Sequence, residues 1–178
     1  KQGQILLGDS DLATKSAESR ARQGIGYVPQ GRDIFPLLTV EENLRTGLSV
    51  RQDKNKKIPD KVFELFPVLQ DMLHRRGGDL SGGQQQQLAI GRALVIEPQV
   101  LILDEPNEGI QPNIVKQIGD VITYLNKHEG LTVVLVEQKL TFAKMVGKDF
   151  RLMEKGRVVA VGQMDELSDQ LVGQYLAV

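Results

Sequence analysis

Apolar positions along this chain switch between short continuous runs and runs with helical spacing. The continuous runs at 25–28 (IGYV), 100–103 (VLIL) and 132–136 (TVVLV) have the length and composition of strands. The last two carry no polar alternation, which suits strands of a parallel sheet buried on both faces. Between them, residues 84–96 place Leu88, Ile90, Leu94 and Val95 at helical spacing, and 114–126 and 142–146 also predict helices. Upstream, residues 3–7 (GQILL) read as a strand leading into a turn over 8–11. Residues 14–23 predict a short helix closed by Gly24 as the left-handed residue past its end. Thr39 with Glu42 three positions on forms a capping box, opening a helix that carries Leu44 and Leu48. Residues 61–75 predict one helix with a broad apolar face from Val62 to Leu73, and its aromatics and Met72 read as core. Near the end, 150–153 and 157–161 predict a hairpin turning at Lys155-Gly156, and the tail from Asp165 an amphipathic helix.

Strands alternating with helices imply an α/β fold built on a parallel sheet. Residues 35–79 are nearly all helix and loop and read as a helical insertion in one domain spanning 1–178. The charged stretch 51–57 (RQDKNKK) has no apolar period and reads as a solvated loop. No repeat or low-complexity segment interrupts the pattern.

Composition narrows the chemistry. A formal net charge of −1 over 178 residues leaves no electrostatic footprint for nucleic acid. Without cysteine, disulfide scaffolds and thiolate catalysis are excluded. No apolar run approaches the ~20 residues that span a bilayer, so service to a membrane has to go through a partner. The chain starts at Lys1 with a strand already in progress, which reads as a boundary within a longer sequence. His74 and His128 sit in polar surroundings and read as surface residues.

Two local patterns carry chemistry. Leu80-Ser81-Gly82-Gly83-Gln84 opens a helix, and its two glycines let backbone N–H groups approach an anion where the helix dipole favours negative charge. Ser81 adds a hydroxyl, although serine there also makes an ordinary helix cap. The second pattern is an apolar strand delivering Asp104 and Glu105 to its carboxyl end, where ligands of open α/β sheets bind. Asp104 can hold Mg2+ through water, and Glu105 can polarise a water for attack on a phosphate.

The order LSGGQ, helix, then a strand ending in DEP resembles the signature and Walker B layout of ABC ATPases over the whole chain. That resemblance implies an ATP-binding subunit using ATP and Mg2+, placed on the inner face of the plasma membrane. It implies pairing with a second ATP-binding subunit, identical or not, and docking onto transmembrane permease subunits through residues 35–79. A periplasmic substrate-binding protein would then be an indirect partner. Gln30, in YVPQ, matches the glutamine that contacts Mg2+ and links nucleotide to the membrane subunit. By the same resemblance Leu80, Ser81, Gly82, Gly83, Gln84 and Asp104 contact the nucleotide, Gln30 and Asp104 hold the metal, and Glu105 and Gln138 are catalytic. The stretches YVPQGRDIFPLLTVEENL, DLSGGQQQQLAIGRAL, EGIQP and LVEQK resemble the branched-chain amino-acid and urea class of importers. With VVLVEQKLTFA and LVGQYLAV, they look most like the second ATP-binding subunit of a urea transporter.

The sequence departs from the family pattern in several places. Gln138 stands where most ABC ATPases carry a histidine on the γ-phosphate; it can donate a hydrogen bond but not take a charge. Asn107 replaces a usual threonine or serine, with little expected consequence, and Gln111 a usual aspartate. No G-x-x-x-x-G-K-[ST] occurs anywhere in the sequence, since Gly147-Lys148 runs into Asp149. The expectation is that these residues alone bind and hydrolyse ATP poorly and lean on oligomerisation. Two rival readings follow: a non-catalytic interaction fragment, and a DNA-repair or chromosome-organising ATPase. The second needs long coiled coils that residues 35–79 do not provide.

Overall fold

A computed structural model describes residues 3–51 and 57–175. The chain divides into two compact units, Lys1–Val136 and Glu137–Val178. Most of the charged stretch expected to be a solvated loop, 52–56, lies outside the described residues.

The first unit opens with β1 (Leu6–Leu7) and β2 (Ser10–Asp11), an antiparallel pair. Residues 8–11 are therefore not all turn: Gly8, at φ +56°, turns the chain and residues 10–11 return as a strand. Helix α1 (Ala17–Arg22) starts where Ser16 Oγ accepts from the Ser19 N–H at 3.2 Å, and the chain leaves it through Gly24 at φ +86°.

Three parallel strands, β3 (Ile25–Val28), β4 (Val100–Asp104) and β5 (Thr132–Val136), form a sheet in that order. Val28, Leu103 and Leu135 lie in one register row. One face packs on α5 (Gly82–Leu94), whose Leu88, Ala89, Ile90 and Leu94 are all buried. Gly26 permits that approach, since a Cβ there would stand 3.1 Å from the Ala93 carbonyl oxygen. Helix α6 (Pro112–Glu129) covers β5 and ends at Gly130, φ +68°. The other face of the sheet is more open: Tyr27 is 54% exposed, Val134 46% and Val136 50%. Strand β5 is thus not buried on both faces as its unbroken apolar run suggests, because among the described residues it is an edge strand covered on one side.

Among the described residues, 35–79 hold α2 (Val40–Leu48), α3 (Asp60–Leu65), α4 (Pro67–Asp71) and a 3-10 turn at Gly77–Asp79. The single helix expected over 61–75 is broken. Pro67 bars Phe66 from helical geometry, leaving it at φ −133°, ψ 73°. Phe66 is nonetheless 1% exposed, so the break keeps the apolar face on the core. The expected capping box is present: Thr39 Oγ1 accepts from the Glu42 N–H at 3.2 Å and Glu42 Oε2 accepts from the Thr39 N–H at 2.8 Å. These bonds to Thr39 favour the carboxylate and lower the Glu42 pKa.

The second unit contains α7 (Leu140–Val146), the hairpin β6 (Asp149–Glu154) and β7 (Arg157–Gln163), and α8 (Asp169–Tyr175). Lys155 and Gly156, at φ 49° and 77°, form the expected turn, since two left-handed residues match the strands' twist. Phe150, Leu152 and Leu167 make a small core of their own. The tail is not one helix from Asp165. A 3-10 turn at Met164–Glu166 comes first, and Ser168 Oγ then accepts from the Leu171 N–H at 3.1 Å.

Candidate nucleotide site

At the carboxyl end of the sheet, β4 ends at Asp104 and the next residue, Glu105, takes φ +45°. That left-handed geometry is uncommon outside glycine, asparagine and aspartate. Its N–H donates to the Val136 carbonyl at 2.9 Å, tying the turn to the end of β5. Gln30 lies two residues past β3. Its Nε2 donates to Glu105 Oε2 at 3.2 Å and to Glu108 Oε2 at 3.1 Å. Tyr27 Oη donates to Asp104 Oδ2 at 3.4 Å. Partial burial, then the charge and hydrogen bond of Asp104, raise the Tyr27 pKa, so the phenol remains a donor. The parallel register accounts for this meeting: β3 and β4 run together, so the residues that follow both strands emerge side by side.

Three of the residues expected at the site, Gln30, Asp104 and Glu105, therefore share one end of the sheet. Tyr27 and Glu108 join them and were not anticipated. Tyr27 carried only a strand-like apolar signal, and Glu108 stood in a loop whose path the spacing does not fix. The donors are hard oxygens, as Mg2+ requires. Among the described residues no group of three His, Cys, Asp or Glu side chains can hold a metal alone. A Mg2+ ion keeps several waters and takes phosphate oxygens, so one or two carboxylates suit it and the set fits.

The signature residues sit together at the start of α5. Ser81 Oγ accepts from the Gln84 N–H at 3.4 Å, and Gln84 Oε1 accepts from the Ser81 N–H at 2.9 Å. Ser81 and Gln84 thus form a capping box, and part of the motif's composition serves the helix itself. Leu80 is 6% exposed and anchors the loop in the core. A Cβ on Gly83 would stand 3.0 Å from Ile114 Cγ2, so glycine there lets α5 lie against α6. A Cβ on Gly82 would meet the Arg32 guanidinium at 3.2 Å.

Gln138 belongs to the second unit, where its N–H and that of Lys139 donate to Glu137 Oε1 at 3.0 and 2.9 Å. His74 and His128 are exposed, as expected. Asn107 is 1% exposed and so sits deeper than its loop position suggested.

Comparison with known proteins identifies the family. The ABC transporter family matches residues 1–108. The chain is 42% identical to the high-affinity branched-chain amino acid transport ATP-binding protein BraG of Pseudomonas aeruginosa over 158 residues, covering 88% of this chain and 67% of BraG. It is 36% identical to the probable branched-chain amino acid transport ATP-binding protein LivF of Archaeoglobus fulgidus over 166 residues, covering 93% of this chain and 70% of LivF. In fold it resembles the ADP conformation of the ATP-binding cassette MJ1267, with TM-score 0.78 and 26% identity over 99% of this chain and 77% of that one. It also resembles the dimeric cassette MJ0796 bound to ADP and Pi, with TM-score 0.81 and 23% identity over 92% of this chain and 74% of that one. With its motifs, its sheet and these relatives in agreement, the chain belongs to the ATP-binding proteins of ABC transporters.

Proposed function

We propose that this chain hydrolyses ATP to power an importer of branched-chain amino acids. The observation that carries the reading is the convergence of Gln30, Asp104 and Glu105 at the carboxyl end of the parallel sheet. Asp104 and Gln30 would hold Mg2+, which neutralises phosphate charge when bound. To do so Gln30 presents its amide oxygen, and its Nε2, now between Glu105 and Glu108, gives up those contacts. Glu105 accepts the proton of the attacking water. Ser81, Gly82 and Gly83 offer their donors to nucleotide held by a paired subunit, and Gln138 donates to the γ-phosphate. The insertion 35–79 is the docking element for permease subunits on the cytoplasmic face of the membrane.

The branched-chain cargo is supported by BraG and LivF, whose names state that transport. A urea cargo rests on the wording of EGIQP, VVLVEQKLTFA and LVGQYLAV alone. Reconstitution of the assembled transporter with its binding protein separates the two: ATP-driven leucine uptake that urea does not compete is expected. Urea uptake without leucine uptake would reverse the assignment.

Residues 1–178, tested by themselves, are expected to hold nucleotide weakly, because their sequence contains no phosphate-binding loop of the G-x-x-x-x-G-K-[ST] kind. In that loop, backbone donors and a lysine supply most of the phosphate contacts. Isothermal titration with MgATP should give millimolar or weaker binding. Micromolar affinity would show that another set of residues grips the triphosphate.

A further inference from the structure

Arg32 stands between the two halves of this apparatus. It follows Gln30 through Gly31 at φ +82°, and is itself at φ +75° with Asp33 at +48°. Three consecutive left-handed residues, two of them not glycine, make a costly loop that persists only where its surroundings hold it. The side chain shows what holds it. Nη1 donates to Gln85 Oε1 at 3.2 Å, and Nη2 donates to the Glu108 carbonyl at 2.9 Å. Gln85 lies in the first turn of α5, and its Nε2 donates on to the Gly77 carbonyl at 3.2 Å. The Arg32 carbonyl accepts from Arg92 Nη2, on the same helix, at 3.3 Å. Glycine at 82 leaves room for the guanidinium, which a Cβ would approach to 3.2 Å.

We propose that Arg32 is a positioning residue that locks the Gln30 loop, the Glu108 loop and the N-terminal turn of the signature helix into one geometry. It bonds to no carboxylate of the site, and among the expected phosphate contacts it meets only Gly82, beside which its guanidinium packs. Its two donors, diverging from one rigid plane, fix two loops against a helix, which a single ammonium does not reproduce. Gln30 and Arg32 grip the Glu108 loop at different atoms, one at the carboxylate and the other at the backbone carbonyl. Movement of Gln30 away from the acids would thereby be transmitted to Ser81–Gly83, the half-site offered to the paired subunit. An ordinary surface staple would affect stability alone.

The inference rests on the ATPase reading above, and its test keeps the two apart. In the assembled transporter, Arg32→Ala should lower kcat for ATP hydrolysis roughly 10- to 100-fold while KM for ATP stays within about twofold, since positioning acts on the chemical step. Arg32→Lys should fall nearly as far, because it keeps charge but not the fork. In a Gln85→Ala background, Arg32→Ala should add less than its separate effect, as expected for partners in one network. A wild-type level of kcat in Arg32→Lys, or full additivity with Gln85→Ala, overturns the proposal while leaving the ATPase reading intact. A parent transporter without ATPase activity overturns both. Should Arg32→Ala fail to assemble, Arg32→Lys and Gln85→Ala carry the same comparison.

Discussion

Glu105→Gln is expected to cut steady-state ATP hydrolysis by the assembled transporter by on the order of 100- to 10,000-fold, the range a positioned general base contributes. The amide keeps the shape of the side chain but cannot take the proton of the attacking water. Backbone geometry should survive, because the left-handed turn is held by the Glu105 N–H bond to the Val136 carbonyl at 2.9 Å, which does not involve the carboxylate. Gln30 would still have an amide oxygen to donate to, and keeps its bond to Glu108 Oε2 at 3.1 Å. Nucleotide affinity should therefore move by no more than a few-fold, while phosphate release nearly stops. Phosphate release and nucleotide binding measured on the same preparation check both halves. A turnover within about threefold of the parent would remove Glu105 from the role of base and turn attention to Glu108.

Much of this arrangement was readable from residue order. Strand β4 announced itself by four apolar residues before two acids, and the Thr39–Glu42 pair and the Ser81 cap marked the starts of α2 and α5. Such features are local, and local chemistry is what sequence spacing encodes. Other features were not readable because they depend on elements far apart in sequence. Tyr27 meets Asp104 only through the register of β3 on β4, and the Glu108 loop meets Gln30 only once both strands are aligned. Arg32 likewise meets Gln85 and the Glu108 carbonyl only once three distant segments are folded together. The split of 61–75 was available from Pro67, but the apolar periodicity on both sides outweighed it. Strand β5 misled for a different reason: an unbroken apolar run marks a parallel strand, and does not count how many of its faces are covered.

The largest effect on stability is expected at a residue with no chemical role. Asn43 is 0% exposed in the middle of α2. Its Oδ1 accepts from the Phe35 N–H at 2.8 Å, and its Nδ2 is shared among the carbonyls of Phe35, Leu38 and Thr39 at 2.9 to 3.1 Å. These bonds stand in for secondary structure in the segment that leads into α2. That segment in turn accepts from the N–H groups of Gly77 and Gly78, through the Leu38 and Pro36 carbonyls at 2.8 and 2.9 Å. Phe35 also carries the Arg92 guanidinium 5.3 Å above its ring. Asn43→Ala leaves the half-buried Phe35 N–H without its partner, while the Phe35, Leu38 and Thr39 carbonyls keep the N–H groups of Leu38, Gly77 and residue 43. At ~1–3 kcal/mol for one stranded donor, the loss should reach roughly 2 kcal/mol. Glu41→Ala, two residues away, breaks an exposed i,i+4 pair with Arg45 and should cost no more than ~0.5 kcal/mol. Denaturant unfolding of the two variants beside the parent makes the comparison. Equal, small losses would mean that the Phe35–Thr39 segment keeps its shape without the asparagine. Backbone bonds from Gly77 and Gly78, with the buried Val40, Leu44 and Leu48, would then suffice to anchor α2.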